Sequence, residues 1–218
     1  MGADGTGIRQ VTDDRYGADS PAWSPDGSEL VYLGFGHGAP ARRNLFVLDP
    51  ATGTATRVTN LTTEPYQPSW SSDGLIAYTL LGEPRIRLVD PATGKDSTLL
   101  TAPDQVWDAQ WSPDGMQVAY VAVTDDPQVN EIWVMNADGS GKRPLVQSHV
   151  AGISPVWSAD GSAILYVDDA DGGVQTLSVD PATGGTTAVT YGWAETWIGP
   201  DTLLVGFSPQ DIAAASGS

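Results

Sequence analysis

Cysteine is absent from the sequence, which removes disulfide staples, a thiolate nucleophile and every cysteine-ligated zinc site at once. The only histidines are His37 and His149. They are too far apart to give the His-His or His-Glu spacing of a hydrolytic zinc centre, so neither a metal nor a cofactor is expected. Basic residues are scarce: 10 Lys and Arg stand against 27 Asp and Glu, a formal charge of -17. Such a field repels phosphate backbones and anionic headgroups, and nucleic acid is excluded as a partner. No apolar run approaches the roughly 18 residues that a membrane span needs, so membrane insertion is not expected. The start, Met1 to Gly5, carries neither a basic nor an apolar segment, so the signal of an exported parent would lie outside this chain. Serine is plentiful, yet no Gly-x-Ser-x-Gly elbow exists to raise one as a nucleophile.

What is abundant is turn chemistry and tryptophan: 25 Gly, 16 Pro and 8 Trp in 218 residues. That length suits one all-β domain. The tryptophans are not scattered. Pro21-Ala-Trp-Ser-Pro-Asp-Gly27, Pro68-Ser-Trp-Ser-Ser-Asp-Gly74, Ala109-Gln-Trp-Ser-Pro-Asp-Gly115 and Pro155-Val-Trp-Ser-Ala-Asp-Gly161 are copies of one motif, and Trp197-Ile-Gly-Pro-Asp201 is a worn fifth. Trp23, Trp70, Trp111, Trp157 and Trp197 are thus spaced by 47, 41, 46 and 40 residues, the period of a four-stranded propeller blade.

The signals within each period keep a constant order. An apolar run follows the motif (Leu30 to Leu33, Ile76 to Tyr78, Val118 to Val121, Ile164 to Val167, Leu203 to Val205). After a variable loop comes a second run (Leu45 to Leu48, Ile86 to Val89, Ile132 to Met135, Gln175 to Val179). Nearly continuous apolar character marks strands covered on both faces, here the middle strands of a blade. Turns of the Asp49-Pro-Ala-Thr-Gly53 type, repeated at Asp90 and Asp180 and varied as Asn136-Ala-Asp-Gly139, lead to a polar fourth strand at the rim. The repeated Asp26, Asp73, Asp114 and Asp160 read as turn-forming residues, and the repeated Trp as packing between blades.

The opening Ala3-Asp-Gly-Thr-Gly-Ile-Arg-Gln-Val-Thr12 aligns with Ala137 to Val146, the turn and outer strand of the third blade, so the chain starts at the end of a blade. It ends on Leu203 to Phe207 and a weak strand candidate at Asp211 to Ala215. The predicted fold is an all-β propeller of five four-stranded blades over residues 1-218, with the N-terminal strand completing the C-terminal blade and leaving no long edge unpaired. A fragment of a larger ring is the alternative.

The Trp-Ser-Pro-Asp-Gly motif, followed by an apolar strand and a strand ending in Asn136-Ala-Asp-Gly-Ser-Gly141, resembles the TolB-like, WD-type propeller repeat. The resemblance covers nearly the whole chain. It implies a ring of blades, a binding or interaction role as found in periplasmic assembly proteins and sensor domains, and an extracytoplasmic location. Propellers of this kind also accompany peptidases and lyases, so the fold does not name the ligand.

In a propeller the loops before the innermost strands converge on one mouth of the central channel. Just before each marker Trp the repeats diverge, as a site for an asymmetric ligand requires. Asp19, Tyr66, Trp107, Ile153 and Trp193 precede it by four residues, with Ser20, Gln67, Asp108, Ser154 and Glu195 close behind and His149 nearby. Aromatic faces beside carboxylates suit a small molecule such as a sugar, or a cationic peptide or protein. The candidate ligand residues are therefore Asp19, Tyr66, Gln67, Trp107, Asp108, His149, Trp193 and Glu195. Against this stands a plug, in which Tyr66, Trp107 and Trp193 fill a narrow channel. A non-catalytic binding module is expected; the alternatives are a lyase or glycosidase using Asp108 and Glu195 as paired acids and a purely structural scaffold. His37, in a glycine-rich loop, reads as exposed, and Asp168-Asp-Ala-Asp-Gly-Gly173 as an acidic hairpin lacking the distant glutamate of a calcium loop.

Overall fold

The Ser-x-Asp-Gly turns show how local chemistry sets the blades. In the first, the Ser24 hydroxyl donates to Asp26 at 2.7 Å, and the Ser28 amide and hydroxyl donate to the same carboxylate. Those donors hold Asp26 down to about 2, the Ser24 hydroxyl having the largest effect. Asp160 repeats the arrangement with Ser158 and Ser162 and is likewise held at about 2. Asp73 and Asp114 accept from Ser71 and Ser112. These four acids are turn locks with their lone pairs engaged, as their repetition implies. The Asp-Pro-Ala-Thr-Gly turns work the same way: Asp49 accepts from the Ala51 and Thr52 amides and the Thr52 hydroxyl, and Asp90 and Asp180 do so in their own blades.

A computed structural model describes residues 9–12, 17–35, 42–126, 128–150, 153–170, 173–199 and 202–206 of the chain, with 193–199 and 202–206 given by their backbone. Each repeat is one antiparallel sheet whose strands follow chain order. The first holds β1 (Ala18–Trp23), β2 (Leu30–Gly34), β3 (Asn44–Asp49) and β4 (Thr54–Arg57). The second holds β5 (Pro65–Trp70), β6 (Ile76–Leu80), β7 (Arg85–Val89) and β8 (Asp96–Thr101). The third holds β9 (Val106–Trp111), β10 (Gln117–Val123), β11 (Asn130–Asn136) and β12 (Arg143–Ser148). The fourth holds β13 (Val156–Trp157), β14 (Ile164–Ala170), β15 (Gly173–Val179) and β16 (Thr186–Tyr191). A fifth, two-stranded sheet pairs β17 (Trp193–Gly199) with β18 (Thr202–Gly206).

All five marker tryptophans stand in one register, opposite the first apolar residue of the next strand: Leu30, Ile76, Val118, Ile164 and Leu203. The architecture is the expected all-β propeller, with four complete four-stranded blades and a fifth Trp-marked hairpin. Of the N-terminal segment expected to complete the last blade, Ala3 to Thr12, residues 3–8 lie outside the described residues, and 9–12 are described but belong to no strand. The strand candidate Asp211 to Ala215 and His37 also lie outside the described residues. Among the described residues no helix is long and apolar enough to cross a membrane.

The core lies between blades. Middle strands are buried almost throughout, as in β6, while β4 is exposed along its length. One cluster joins blades one and two around Val31, Leu45, Ile76 and Tyr78, another joins two and three around Ile86, Val106 and Val118, and a third joins three and four around Ile132, Ile153, Trp157 and Ile164. Two of the marker tryptophans stitch these faces in a directional way. The Trp70 indole N–H donates to the Ala22 carbonyl of blade one at 3.1 Å, and Trp157 donates to the Gln110 carbonyl of blade three at 3.0 Å. Each indole reaches back to the residue preceding the motif Trp of an earlier blade. Trp23 departs from the packing role expected of every copy. It is 58% exposed.

Turn glycines at the blade junctions carry unequal loads. Gly53 (φ +74) has open space where a Cβ would project, whereas at Gly139 (φ +80) that Cβ would stand 2.7 Å from the Leu99 carbonyl oxygen of blade two. Both are left-handed, so alanine at either is strained by about 1 kcal/mol or more. Only at Gly139 must a neighbouring backbone also shift. Gly139→Ala is expected to lower the urea midpoint clearly more than Gly53→Ala, and equal losses would show that the blade-two contact does not constrain this turn.

Candidate functional site

The innermost strands succeed one another around the channel, β1 beside β5, β5 beside β9 and β9 beside β13. Each of the first three is interrupted by a bulge at the same place: between Asp19 and Ala22, between Tyr66 and Ser69, and opposite Ala119 and Val121 where β9 runs from Trp107 to Gln110. β17 repeats it between Ala194 and Thr196. An extra residue in one strand re-aims the side chains that follow. Four of the five polar residues singled out as varying between blades, Ser20, Gln67, Asp108 and Glu195, occupy these bulges; the fifth, Ser154, precedes β13. Ser20 (φ 52) and Asp108 (φ 50) are the two non-glycine residues with positive φ among those described. A left-handed backbone at such residues costs on the order of 1 kcal/mol and concentrates at functional positions.

Two of these residues, Gln67 and Asp108, meet across the ring through Ser154. The Gln67 amide donates from blade two to the Ser154 hydroxyl of blade four at 3.0 Å, and Ser154 donates to Asp108 Oδ2 of blade three at 2.7 Å. Gln67 and Ser154 line a cavity of about 800 Å³ together with Ser20, Gln110, Trp111 and Trp157, and Asp108 stands directly behind Ser154. Asp108 is 8% exposed. Burial pushes its carboxyl up to about 6, against the smaller opposing effect of the Ser154 hydrogen bond. No neighbouring carboxylate among the described residues contributes to that shift. The site is thus a buried acid with one donor among the described residues, behind a cavity whose mainly apolar wall carries Ser20, Gln67, Gln110 and Ser154.

The remaining candidates are distributed differently. Asp19 sits at the rim, and Arg43 binds it together with Glu64, tying blade one to the start of blade two. That cation already occupies the acid expected to receive a ligand's charge. Tyr66 is half-buried and pairs with Thr79 across the sheet. Trp107, expected at the open mouth, is half-buried and packs against the cluster of blades three and four. Its indole N–H is sealed, with no hydrogen-bond partner among the described residues. The bulge explains the difference: it carries the residue after the aromatic to the channel and leaves the aromatic between blades. His149 is exposed at the rim, its backbone amide donating to Asp168 at 2.8 Å and its imidazole lying 3.4 Å from the same carboxylate. The side chains of Trp193 and Glu195 lie outside the described residues, and with them the separation of the Asp108 and Glu195 carboxylates. Gln67 and Asp108 are therefore the proposed ligand residues that the fold brings together, joined through Ser154. Among the described residues no group of three or more His, Asp or Glu is arranged to hold a metal ion.

Comparison with known proteins places the fold in a family. The sequence matches the family model described as the TolB beta propeller domain over residues 67–202. The fold superposes on TolB from Acinetobacter baumannii with a TM-score of 0.73 at 24% identity, over 87% of this chain and 47% of that one. It also superposes on the structure of a nidogen/laminin complex with a TM-score of 0.66 at 15% identity, over 82% of this chain and 68% of that one. These likenesses show the fold alone. A dipeptidyl-peptidase 5 of Porphyromonas endodontalis is 32% identical over 64 residues, 29% of this chain and 9% of the peptidase. The chain spans about half the length of the Acinetobacter protein and a small part of the peptidase.

Proposed function

The chain belongs to the TolB β-propeller family, and on that premise we propose that it is a non-catalytic recognition module of a larger extracytoplasmic protein, taking a cationic side chain of a peptide or protein partner into the mouth of its channel. The observation that carries this reading is Asp108. A carboxylate buried at a left-handed bulge, with a single hydroxyl donor, is costly to fold. An ammonium or guanidinium brought to Ser154 and Gln67 would compensate that cost. The prolines and tryptophans of the cavity wall would pack on its aliphatic stem. The acidic surface, at -17, supplies the long-range attraction.

Titration calorimetry with short lysine- and arginine-bearing peptides tests this. Binding at pH 7.5 is expected to weaken at least about tenfold in Asp108→Asn, the order expected for removing a charge-assisted partner. Because the bound cation favours the ionised carboxylate, affinity should also fall below pH 6, by up to about tenfold per unit. Peptides that bind the wild type and Asp108→Asn equally, or no binding by any cationic peptide, would overturn the assignment.

A further inference from the structure

The geometry points to a second binding site, for a neutral sugar, in the outer groove between blades two and three, where the half-buried Trp133 and the hydroxyl of Tyr120 stand between acidic rims. The groove encloses about 540 Å³ and is separate from the channel cavity.

Its chemistry emerges from comparison with the equivalent groove one blade earlier. There Tyr78, opposite Arg87 in the sheet, donates its hydroxyl to Asp96, and the Arg87 guanidinium lies 6.0 Å from the Tyr78 ring centre while pairing with Asp96 at 3.2 Å. That position is closed by its own polar groups. In blade three the register places Trp133 opposite Tyr120, where Arg87 stood. At the strand position equivalent to Asp96, directly before Arg143, stands Lys142. Tyr120 has therefore lost its acceptor. It is 3% exposed, lines the groove, and donates its hydroxyl to no described residue. Burial pushes that phenol up to about 12, so it is a neutral donor at any physiological pH.

The aromatic pair is also held in place. Tyr120 and Trp133 stack with ring centres 6.4 Å apart. The Trp133 indole N–H donates to Glu131 at 2.9 Å, and the other oxygen of that carboxylate accepts from Gln147 at 3.0 Å. Both glutamate oxygens are thus engaged, and the indole is fixed as a platform. A packing strand needs no such clamp on a half-exposed ring.

The rim decides the class of ligand. Asp104 and Asp125 are exposed acceptors on the groove, and Lys142 is an exposed cation on it. The two carboxylates repel an anionic sugar, and the lysine opposes a free cation on the Trp133 face. A neutral pyranose satisfies every group: its C–H face packs on the indole, and its hydroxyls meet carboxylates, ammonium and phenol. This site is independent of the channel reading and uses none of its residues.

The test is titration calorimetry of the intact chain with neutral hexasaccharides of α- and β-linked glucose, mannose, xylose and N-acetylglucosamine, with tetramethylammonium as a contrast. One sugar series is expected to bind. Trp133→Ala should weaken it at least about tenfold. Tyr120→Phe, which removes a hydroxyl without a described partner and so leaves folding intact, should weaken it about three- to tenfold. Asp108→Asn should leave it unchanged. Absence of binding by every sugar, full binding by both groove variants, loss in Asp108→Asn instead, or tetramethylammonium displacing the sugar would each overturn the assignment.

Discussion

Trp157→Ala is expected to destabilise the fold by about 3–5 kcal/mol, whereas Trp23→Ala, at the equivalent position of the motif, should cost less than about 1 kcal/mol. Trp157 is 9% exposed, fills the cluster between blades three and four, and donates to the Gln110 carbonyl. Its removal deletes a large apolar surface, leaves a cavity among Ile153, Ile164 and Tyr166, and takes the indole donor away from the Gln110 carbonyl. Trp23 is mostly in solvent, so its truncation changes little apolar burial. Urea denaturation of the two variants measures the difference, which should show as a shift in midpoint with little change in slope. Equal losses would mean that Trp23 is buried in solution against a further blade surface.

Asp108→Asn is expected to raise stability at neutral pH. The carboxyl titrates at about 6 in the folded chain and near 3.8 when unfolded. Between those values the native state holds a proton that the unfolded state has lost, so stability declines as pH rises through about 4 to 6. Above pH 6 the whole cost of the buried charge is present. A separation of about two units at about 1.4 kcal/mol per unit puts it at about 3 kcal/mol. Asparagine still accepts from Ser154 and carries no charge, so the variant should exceed the wild type by about 2–3 kcal/mol at pH 7.5 and match it at pH 4. A variant less stable at pH 7.5 would show that the carboxylate is held by a stabilising partner. Together with weaker peptide binding, the expected gain would mark Asp108 as an acid retained for recognition at the expense of stability.

The blades were legible because their causes are local and recur. A serine two residues before an aspartate closes its turn wherever the motif stands, so Asp26 and Asp160 behave alike. Apolar continuity likewise marks β2, β6, β10 and β14 without reference to neighbours. The diverging residues before each Trp pointed to the channel, and Gln67, Asp108 and Ser154 are joined by hydrogen bonds across blades two, three and four. Which of them would touch was not legible. Gln67 and Ser154 are separated by 87 residues, and their contact depends on where blades two and four stand around the ring. Nor did the sequence distinguish Trp107 from Asp108, adjacent residues of similar promise. A bulge turns one toward the channel and the other into the interblade core, and bulges arise from the pairing of two strands, not from either alone. That the Tyr120 hydroxyl finds no acceptor among the described residues has the same origin, since it follows from what faces it across the sheet. From its sequence alone, then, the chain's turns, strands and period were determined, because each depends on a few consecutive residues. Tertiary structure alone decided which polar groups are buried, paired or left open, because desolvation and hydrogen bonding between blades depend on neighbours that are distant along the chain.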